Sequence, residues 1–367
     1  MSIYLDGMFY RSTGVGRLYE NILEALAGRI GGDRIVTAVP APLREAFQAE
    51  HGASGVRVRF LPYGPMTAGD LFRKSRVLTA MAGEVTLFAF PGHNVPWTVP
   101  GRYIAGVNDV TVFSPLFRLP RWKREGFRLL LGRAVRGAEA VVTISEAARE
   151  EIARTFRISP ERVAVVYPWV KDAFFAGEGP PPARSPVAGE YLLYVGLRIA
   201  HKNLDGLVRA FLLVSGEFPT LKLIVAGRRY TTPDMVDRWK ADPRLADRLV
   251  EILDPSDETL RALYAGARAF VFPSLAEGFG LPPLEAMASG VPVVCSDIPV
   301  FREVYGDAVG YVDPNLPESI AEGVRKVLSD PGLRTRLVRS GRERAALYRR
   351  DLAVNAYLDM LAGEAPV

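Results

Sequence analysis

The residues with the clearest chemical potential are Glu277 and Glu285, two carboxylates eight positions apart in a segment rich in glycine and proline. Gly278 and Gly280 let the backbone approach a ligand closely, and the prolines that follow favour the start of a helix. We predict Glu277 in a loop at the carboxyl end of a strand, where open α/β sheets bind ligands, and Glu285 in the next helix's first turn. There it would accept hydrogen bonds from a ribose diol beside amides that hold a phosphate. Alternatively, Glu285 only offsets the helix dipole.

A second cluster runs from Tyr194 to Asn203 and follows another predicted strand. Lys202 would lie near a helix N-terminus, where an ammonium group can pair with a diphosphate, and Asn203 would cap that helix. The alternative is an exposed basic helix start.

The longer string from Phe270 to Val294 resembles the retaining glycosyltransferases of family four, which have the GT-B architecture and an E-x7-E signature. The resemblance covers essentially the whole chain and is strongest from Tyr191 to Pro314. It implies two Rossmann-like domains facing a cleft, a nucleotide-sugar donor, and neither a cofactor nor a required metal ion.

The resemblance also implies roles for individual residues. Glu277 would face the hydroxyls of the donor sugar and Glu285 the ribose, while Lys202 would bind the phosphates with help from Arg198. These cations would offset the negative charge on the leaving diphosphate, since the resemblance implies that no metal ion does so. The residues between the two carboxylates would lie along the donor: Gly278, Phe279, Gly280 and Leu281.

Three loops of the first half supply further candidates. Gly14 and Gly16 follow the first strand and would let backbone amides approach the donor or the acceptor, although a plain glycine turn has the same pattern. Many family members carry His-Asp where this chain has Asn108-Asp109. Asn108 cannot become cationic, so we expect it to orient a sugar, with Asp109 orienting neighbouring side chains. His93 either contacts the acceptor or donor or is a surface histidine.

The chain departs from the family near the expected nucleotide-base pocket. Tyr167 to Val170 replaces a common Pro-Asn-Gly-Val, and Asp254-Pro255 stands where a glycine is usual. The identity of the base therefore does not carry over. GDP-mannose is the first choice of donor because the most similar-looking family members include mannosyltransferases, and UDP-sugars follow.

Basic residues are concentrated between Leu116 and Gly137, which holds seven arginines and lysines against one glutamate. Because the whole chain has a net charge of +5, the rest is nearly neutral. Apolar residues recur every three to four positions from Trp122 to Val135. The segment is therefore an amphipathic core helix with a solvated basic face, or a helix that binds an anionic membrane or lipid-linked acceptor. Nucleic acid is disfavoured, because no nucleic-acid fold signature accompanies it.

The composition of the chain argues against several classes of protein. One cysteine cannot form an internal disulfide or a thiolate metal site, and three scattered histidines lack zinc-enzyme spacing. The N-terminus does not resemble a signal peptide, and no apolar run approaches the length of a membrane span. We expect a cytoplasmic protein, with peripheral attachment to the inner face of the membrane as the alternative.

The candidate site residues must be positioned by strands and helices. Short apolar runs alternate with amphipathic segments along the chain, and this pattern predicts an α/β chain with two doubly wound parallel sheets. The proposed domains are 1–175, which would bind the acceptor, and 190–348, which would bind the nucleotide sugar. They are joined by a proline- and glycine-rich linker at 176–189. A helix at 349–367 would cross back to the first domain. Predicted strands are Ser2–Asp6, Arg34–Val39, Val85–Phe90, Tyr103–Val107, Ala140–Ile144, Val163–Val166, Tyr191–Val195, Leu221–Ala226, Ala269–Phe272 and Val291–Cys295.

The sequence therefore predicts a metal-independent, retaining glycosyltransferase that moves a sugar from a nucleoside diphosphate to a glycan or lipid-linked acceptor. Polysaccharide or lipopolysaccharide assembly is the expected setting. The alternatives are a sugar-nucleotide epimerase, and a catalytically silent nucleotide-sugar-binding or membrane-docking protein.

Overall fold

The computed structural model describes residues 2–12, 14–114, 120–177, 184–229, 235–350, 355, 357–359 and 361. The chain forms two compact units, one of Met1–Tyr167 with Ala353–Val367 and the other of Pro168–Leu352. The passage between them precedes the predicted linker at 176–189. The reason is that Phe174 and Phe175 are buried within the second unit, where the ring of Phe174 meets that of Tyr264.

The first unit contains a parallel sheet of seven strands among its described residues, in the order β3-β2-β1-β4-β5-β6-β7. Most of these strands are short apolar runs buried on both faces, as expected for a sheet covered by helices on each side. The strands are β1 (Ile3–Asp6), β2 (Ile35–Pro40), β3 (Arg57–Leu61), β4 (Leu87–Phe90), β5 (Tyr103–Gly106), β6 (Ala140–Thr143) and β7 (Val163–Val165). The helices are α1 (Gly14–Ile30), α2 (Arg44–His51), α3 (Lys74–Met81), α4 (Arg121–Gly137) and α5 (Glu146–Phe156).

The second unit contains a parallel sheet of six strands among its described residues, in the order β10-β9-β8-β11-β12-β13. The strands are β8 (Tyr191–Val195), β9 (Lys222–Gly227), β10 (Leu249–Leu253), β11 (Ala269–Phe272), β12 (Val293–Ser296) and β13 (Gly310–Val312). The helices are α6 (Leu204–Val214), α7 (Met235–Lys240), α8 (Asp257–Gly266), α9 (Leu281–Ala288), α10 (Pro299–Tyr305), α11 (Pro317–Ser329) and α12 (Pro331–Ala345).

The two sheets share a topological feature that fixes where ligands can bind. In the first unit the strand order reverses between β1 and β4, and in the second between β8 and β11. At such a switch point the loops leave neighbouring strands in opposite directions and open a crevice at the strands' carboxyl ends. The predicted site loops after β1, β4, β8 and β11 all begin at these two points.

The C-terminal segment belongs to the first unit. Tyr357, Leu358 and Leu361 are buried, and Asp359 forms an ion pair of 3.2 Å with Arg29 of α1. The remaining positions of the predicted 349–367 helix lie largely outside the described residues.

Helix α4 contains most of the basic window; residues 115–119 lie outside the described residues. Its apolar face is directed into the core, because Leu131, Ala134 and Val135 are almost fully buried. These residues are therefore not free to enter a membrane. The exposed face carries most of the arginines together with Trp122 and Leu129, which are 73% and 65% exposed. No helix in the described part of the chain has the length and apolar character needed to span a membrane.

Candidate active site

Lys202 and Glu277 meet at the switch point of the second unit. Lys202 ends a short 3₁₀ turn after β8, and Glu277 lies in the loop after β11. The Lys202 Nζ donates a hydrogen bond to Glu277 Oε1, and the Ser274 hydroxyl donates to the same oxygen at 2.9 Å. Their side chains are only 17% and 9% exposed, so the ion pair is partly shielded from water. The structure thus brings together two residues that are 75 positions apart in the chain.

The two loops are tied to each other and to the sheet. The Leu275 amide donates to the His201 carbonyl at 2.7 Å, and the Lys202 Nζ lies 5.4 Å from the centre of the Phe272 ring. Asn203 differs from the prediction. Its backbone is left-handed, with φ of +55°, and its side chain makes no capping bond. The Nδ2 atom donates instead to the Pro314 carbonyl at 2.6 Å.

Glu285 is buried in α9 instead of lying at an open helix start. The Tyr264 hydroxyl donates to Glu285 Oε2 at 2.9 Å, and Tyr264 is itself fully buried. A carboxylate in this position keeps a fixed orientation, as recognition of a ribose diol requires.

The residues between the two carboxylates form a turn that requires glycine. Gly280 has φ of +93°, and a Cβ atom there would lie 2.1 Å from the Tyr305 hydroxyl oxygen, so only glycine fits. That hydroxyl donates to the Gly280 carbonyl at 2.7 Å. Gly278 and Phe279 are buried as well, and Leu281, which begins α9, is half-buried. Their contact with a donor stays a prediction.

Arg198 forms an ion pair within the second unit. Its buried guanidinium pairs with Glu251 of β10, which also binds Arg229 and Lys240. Burial alone would raise the pKa of Glu251, but the hydrogen bonds from these three cations outweigh it and lower the pKa to about 2. The structure therefore gives Arg198 a structural ion pair, and its role at a diphosphate stays a prediction.

Asp254 accounts for one departure from the family. It stands where a glycine is usual and adopts a left-handed backbone with φ of +44°. Aspartate tolerates this conformation better than most residues. The turn before α8 therefore keeps a backbone shape that a glycine would adopt.

The two glycines in the glycine loop of the first unit differ in the space around them. Helix α1 begins at Gly14, which is exposed, and a Cβ atom there would meet nothing within 4 Å. A Cβ atom at Gly16 would lie 2.3 Å from the Phe9 carbonyl oxygen. Gly16 is thus required by packing, whereas Gly14 leaves space for a ligand at the helix start.

His93 and Asp109 lie on neighbouring loops, after β4 and β5. The His93 ring is half-buried between those of Phe9 and Phe127, with centroids 5.6 and 5.5 Å away. Burial lowers the pKa of His93, and the nearby carboxylate of Asp109 opposes this effect. His93 is therefore a packed residue rather than a mobile surface histidine. Burial, together with Asp109, also raises the pKa of Glu151 on α5.

Asp109 and Asn108 have local partners. Asp109 Oδ1 accepts hydrogen bonds from the Thr111 amide at 2.9 Å and from its hydroxyl. It therefore fixes its own turn, whereas we predicted that it orients Arg or Asn neighbours. The Asn108 carbonyl accepts from Thr143, and Asn108 lines a small pocket with Ile144 and Tyr357. A sugar-orienting role for Asn108 stays a prediction.

Two features of the structure were not predicted from the sequence. One is Tyr264 as the partner of Glu285, which no local spacing signals. The other is a buried cluster of Asp6, Asp70, Lys74 and Asn94, whose only signal was an aspartate four positions before a lysine. Within the described residues, no group of three or more His, Cys, Asp or Glu side chains is arranged to hold a metal ion.

Two Rossmann-like units in one chain are the architecture of the GT-B class of fold. Comparison with known structures supports this assignment. The glycosyltransferase WaaG, involved in lipopolysaccharide biosynthesis, gives a TM-score of 0.77 at 16% identity, covering 99% of this chain and 100% of that one. The Anabaena protein HepE, solved with UDP and glucose, gives 0.77 at 16% identity, with 99% coverage of both chains.

Residues 181–344 match the family of glycosyl transferases group 1. The match confirms, over these residues, the resemblance seen in the sequence. The chain is 32% identical over 201 residues to the O-antigen chain mannosyltransferase RfbU of Salmonella typhimurium, covering 55% of this chain and 54% of that protein. It is 32% identical over 246 residues to O-antigen chain mannosyltransferase B of Escherichia coli, covering 64% and 63%. The matches thus span between half and two thirds of these relatives.

Proposed function

We propose that this protein is a retaining glycosyltransferase that transfers mannose from a nucleoside diphosphate donor to a glycan or lipid-linked acceptor in polysaccharide or lipopolysaccharide assembly. The observation that carries the proposal is the Lys202–Glu277 pair at the switch point of a domain that matches the group 1 family. The names of the O-antigen mannosyltransferase relatives favour mannose.

The residues of the second unit divide the work of holding the donor. The ammonium group of Lys202 would pair with the diphosphate and exchange part of its interaction with Glu277 for the phosphate oxygens. Glu277 would then accept hydrogen bonds from the sugar hydroxyls, and Glu285, oriented by Tyr264, from the ribose. A preorganised cation of this kind stabilises charge on the leaving group without reorganising during the reaction.

The bond changes follow from retention of configuration. The acceptor oxygen forms a bond to the anomeric carbon on the face that the diphosphate leaves, the bond from that carbon to the phosphate oxygen breaks, and the acceptor proton passes to the leaving phosphate. No side-chain nucleophile and no divalent metal ion takes part in this scheme. Activity is expected to survive EDTA.

Donor assays test the proposal directly. Purified protein is incubated with GDP-mannose and UDP-glucose, and both transfer to octyl α-mannoside and donor hydrolysis are measured. Calorimetry with GDP and UDP identifies the base. An epimerase would convert the donor sugar without releasing nucleotide, and a silent binding protein would bind nucleotide without turnover. If no donor is consumed and Lys202→Ala leaves nucleotide affinity unchanged, the enzyme proposal fails.

A second candidate function, favoured by the exposed face of α4, is peripheral attachment to an anionic membrane. Trp122 and Leu129 are seven positions apart and therefore share one face of the helix, which the cations Lys123 and Arg128 flank. Basic side chains beside exposed aromatic and aliphatic groups are typical of surfaces that insert at the headgroup level.

Flotation with vesicles tests this attachment. We expect recovery with vesicles that contain phosphatidylglycerol and loss of recovery with phosphatidylcholine alone. The double variant Trp122→Ser, Leu129→Ser should reduce recovery, whereas Leu213→Ser, which removes an exposed leucine of α6, should not. Equal recovery of wild type with both vesicle types would exclude attachment through this surface.

A further inference from the structure

A fully buried ionic cluster lies at the switch point of the first unit. Asp6 is the last residue of β1, and Lys74 is the first of α3. The Lys74 Nζ is 2.7 Å from Asp6 Oδ2 and 2.5 Å from Asp70 Oδ1, and all three side chains are no more than 1% exposed. The cluster therefore lies beneath the crevice that the strand order predicts at this edge of the sheet.

Asn94 connects this cluster to the loop after β4. Its Nδ2 atom donates to Asp6 Oδ1 at 2.9 Å and to Asp70 Oδ2 at 3.1 Å, and its carbonyl accepts from the Lys74 Nζ at 3.1 Å. Both the side chain and the main chain of Asn94 are therefore fixed by hydrogen bonds to the cluster. The neighbouring residue along the chain is His93.

The loop after β1 is held by the same cluster. The Met8 amide donates to Asp6 Oδ1 at 3.2 Å, and the next residue, Phe9, is one of the two aromatic residues that flank His93. The two loops also pack closely, since a Cβ atom at Gly92 would lie 3.1 Å from the Phe9 ring. One cluster therefore fixes the backbone of the residue that follows His93 and one of the aromatic residues that flank its ring.

The charge of the cluster indicates that stability alone is a poor explanation for it. Two carboxylates share one ammonium group, and burial raises the pKa of Asp70 despite the opposing effect of Lys74. Apolar side chains of similar volume often stabilise a core as well as a buried ion pair or better, whereas an ionic network fixes direction.

We propose that Lys74 and Asn94 are positioning residues that fix the orientation of His93 at the crevice of the first unit, and that this orientation sets how the enzyme binds its sugar acceptor. The consequence for catalysis rests on the proposed glycosyltransferase function. The orientation of His93 does not.

The structural step is tested by NMR titration, since the chain has only three histidines. His51→Gln and His201→Gln assign the imidazole signals of the wild type. In Asn94→Ala we expect the pKa of His93 to rise toward the ordinary value of about 6.5, while those of His51 and His201 stay unchanged. Asn94→Ser retains a hydrogen-bond donor and should have a smaller effect, and it replaces Asn94→Ala if that variant does not fold.

Two further variants separate positioning from general loosening. Asp70→Asn keeps the shape of the side chain but weakens its bonds with Asn94 and Lys74, while the bonds of both residues with Asp6 remain, so the pKa of His93 should move less than in Asn94→Ala. Leu78→Ala creates a cavity in the apolar core one turn further along α3, and it should lower the melting temperature without moving the His93 pKa. If the pKa of His93 keeps its wild-type value in Asn94→Ala and Asn94→Ser, or if the pKa of His51 moves by the same amount, the inference is wrong.

The catalytic step uses GDP-mannose with octyl α-mannoside as the probe acceptor. In Asn94→Ala we expect kcat/KM for the acceptor to fall by about tenfold to a hundredfold, as misplacement of a contact by about 1 Å does, with the KM for GDP-mannose unchanged. Unchanged acceptor kinetics in a variant whose His93 has moved would overturn the catalytic half. Absence of transfer by the wild type would count against the proposed function and leave the titration result intact.

Discussion

The phenol of Tyr264 donates a 2.9 Å hydrogen bond to the carboxylate of Glu285, and both residues are almost completely buried. One belongs to α8 and the other to α9, so the bond fixes a carboxylate between two helices of the second unit. A buried carboxylate that loses a hydrogen-bond donor is destabilised, because one of the bonds that replaced its hydration is gone. The bond therefore links the orientation of Glu285 to the stability of its surroundings.

Tyr264→Phe tests this relationship. We expect nucleotide affinity to fall by about tenfold, because the loss of one hydrogen-bond donor to a buried carboxylate costs about 1–3 kcal/mol, part of which appears as lost orientation. The measurement is calorimetric binding of GDP or UDP. Tyr191→Phe is the matched control, since Tyr191 is also buried in this unit but donates to the Leu263 carbonyl. Equal loss of affinity in both variants would show that Tyr264 acts only through stability.

Lys202→Ala should reduce kcat by about 10²–10³, the usual effect of removing one electrostatic donor to a developing charge. Steady-state kinetics with saturating donor measures the change. Lys222→Ala, in the same unit at the start of β9, removes a lysine that donates to the Ala188 carbonyl at 3.1 Å, and it should leave kcat unchanged. A Lys202→Ala variant with wild-type turnover would contradict the assignment of this lysine to the diphosphate.

The order of helices and strands was largely readable from the sequence because the central strands are short apolar runs buried on both faces. The strands that were missed are β3, β10 and β13, and each lies at an edge of its sheet. Edge strands are buried on fewer sides. In β3, exposed and partly buried residues alternate, which removes the continuous apolar signal.

The candidate site was readable only where its residues are close in sequence or match a known pattern. Glu277 and Lys202 were found in this way, and their loops begin at the predicted strand ends. The partners that hold the site, Tyr264 and Lys74, belong to other helices. Their contacts depend on how those helices pack, and no periodicity or spacing within one segment encodes that.

Glu251 gives a pH-dependent stability that can be measured without any substrate. Its pKa is lowered to about 2, chiefly because the hydrogen bonds from three cations outweigh burial. A carboxyl group with a lower pKa in the folded state adds stability that is complete above its ordinary pKa near 4.5 and is lost as the pH falls toward 2. Glu251→Gln should therefore lower the free energy of unfolding by about 2 kcal/mol at pH 7, after allowance for partial screening by solvent.

Urea unfolding at pH 7 and pH 3 checks this prediction, and the difference between Glu251→Gln and the wild type should shrink at the lower pH. The control is Glu190→Gln, which breaks an ion pair with Arg268 whose carboxylate is 55% exposed. Exposed pairs contribute about 0–1 kcal/mol, so this variant should differ little from the wild type at either pH. A deficit in Glu251→Gln that does not depend on pH would place its effect in packing.

Gly14 and Gly16 provide a matched pair that separates ligand binding from folding. Gly16→Ala places a methyl group 2.3 Å from the Phe9 carbonyl and should lower the melting temperature clearly. Gly14→Ala meets no neighbour and adds a better helix former, which favours the helix by up to about 1 kcal/mol. If a substrate approaches the start of α1, Gly14→Ala will retain or raise the melting temperature and still reduce kcat/KM for transfer. Calorimetric melting and transfer kinetics on the same preparations decide it: full activity in Gly14→Ala would mean that Gly14 is only part of a turn.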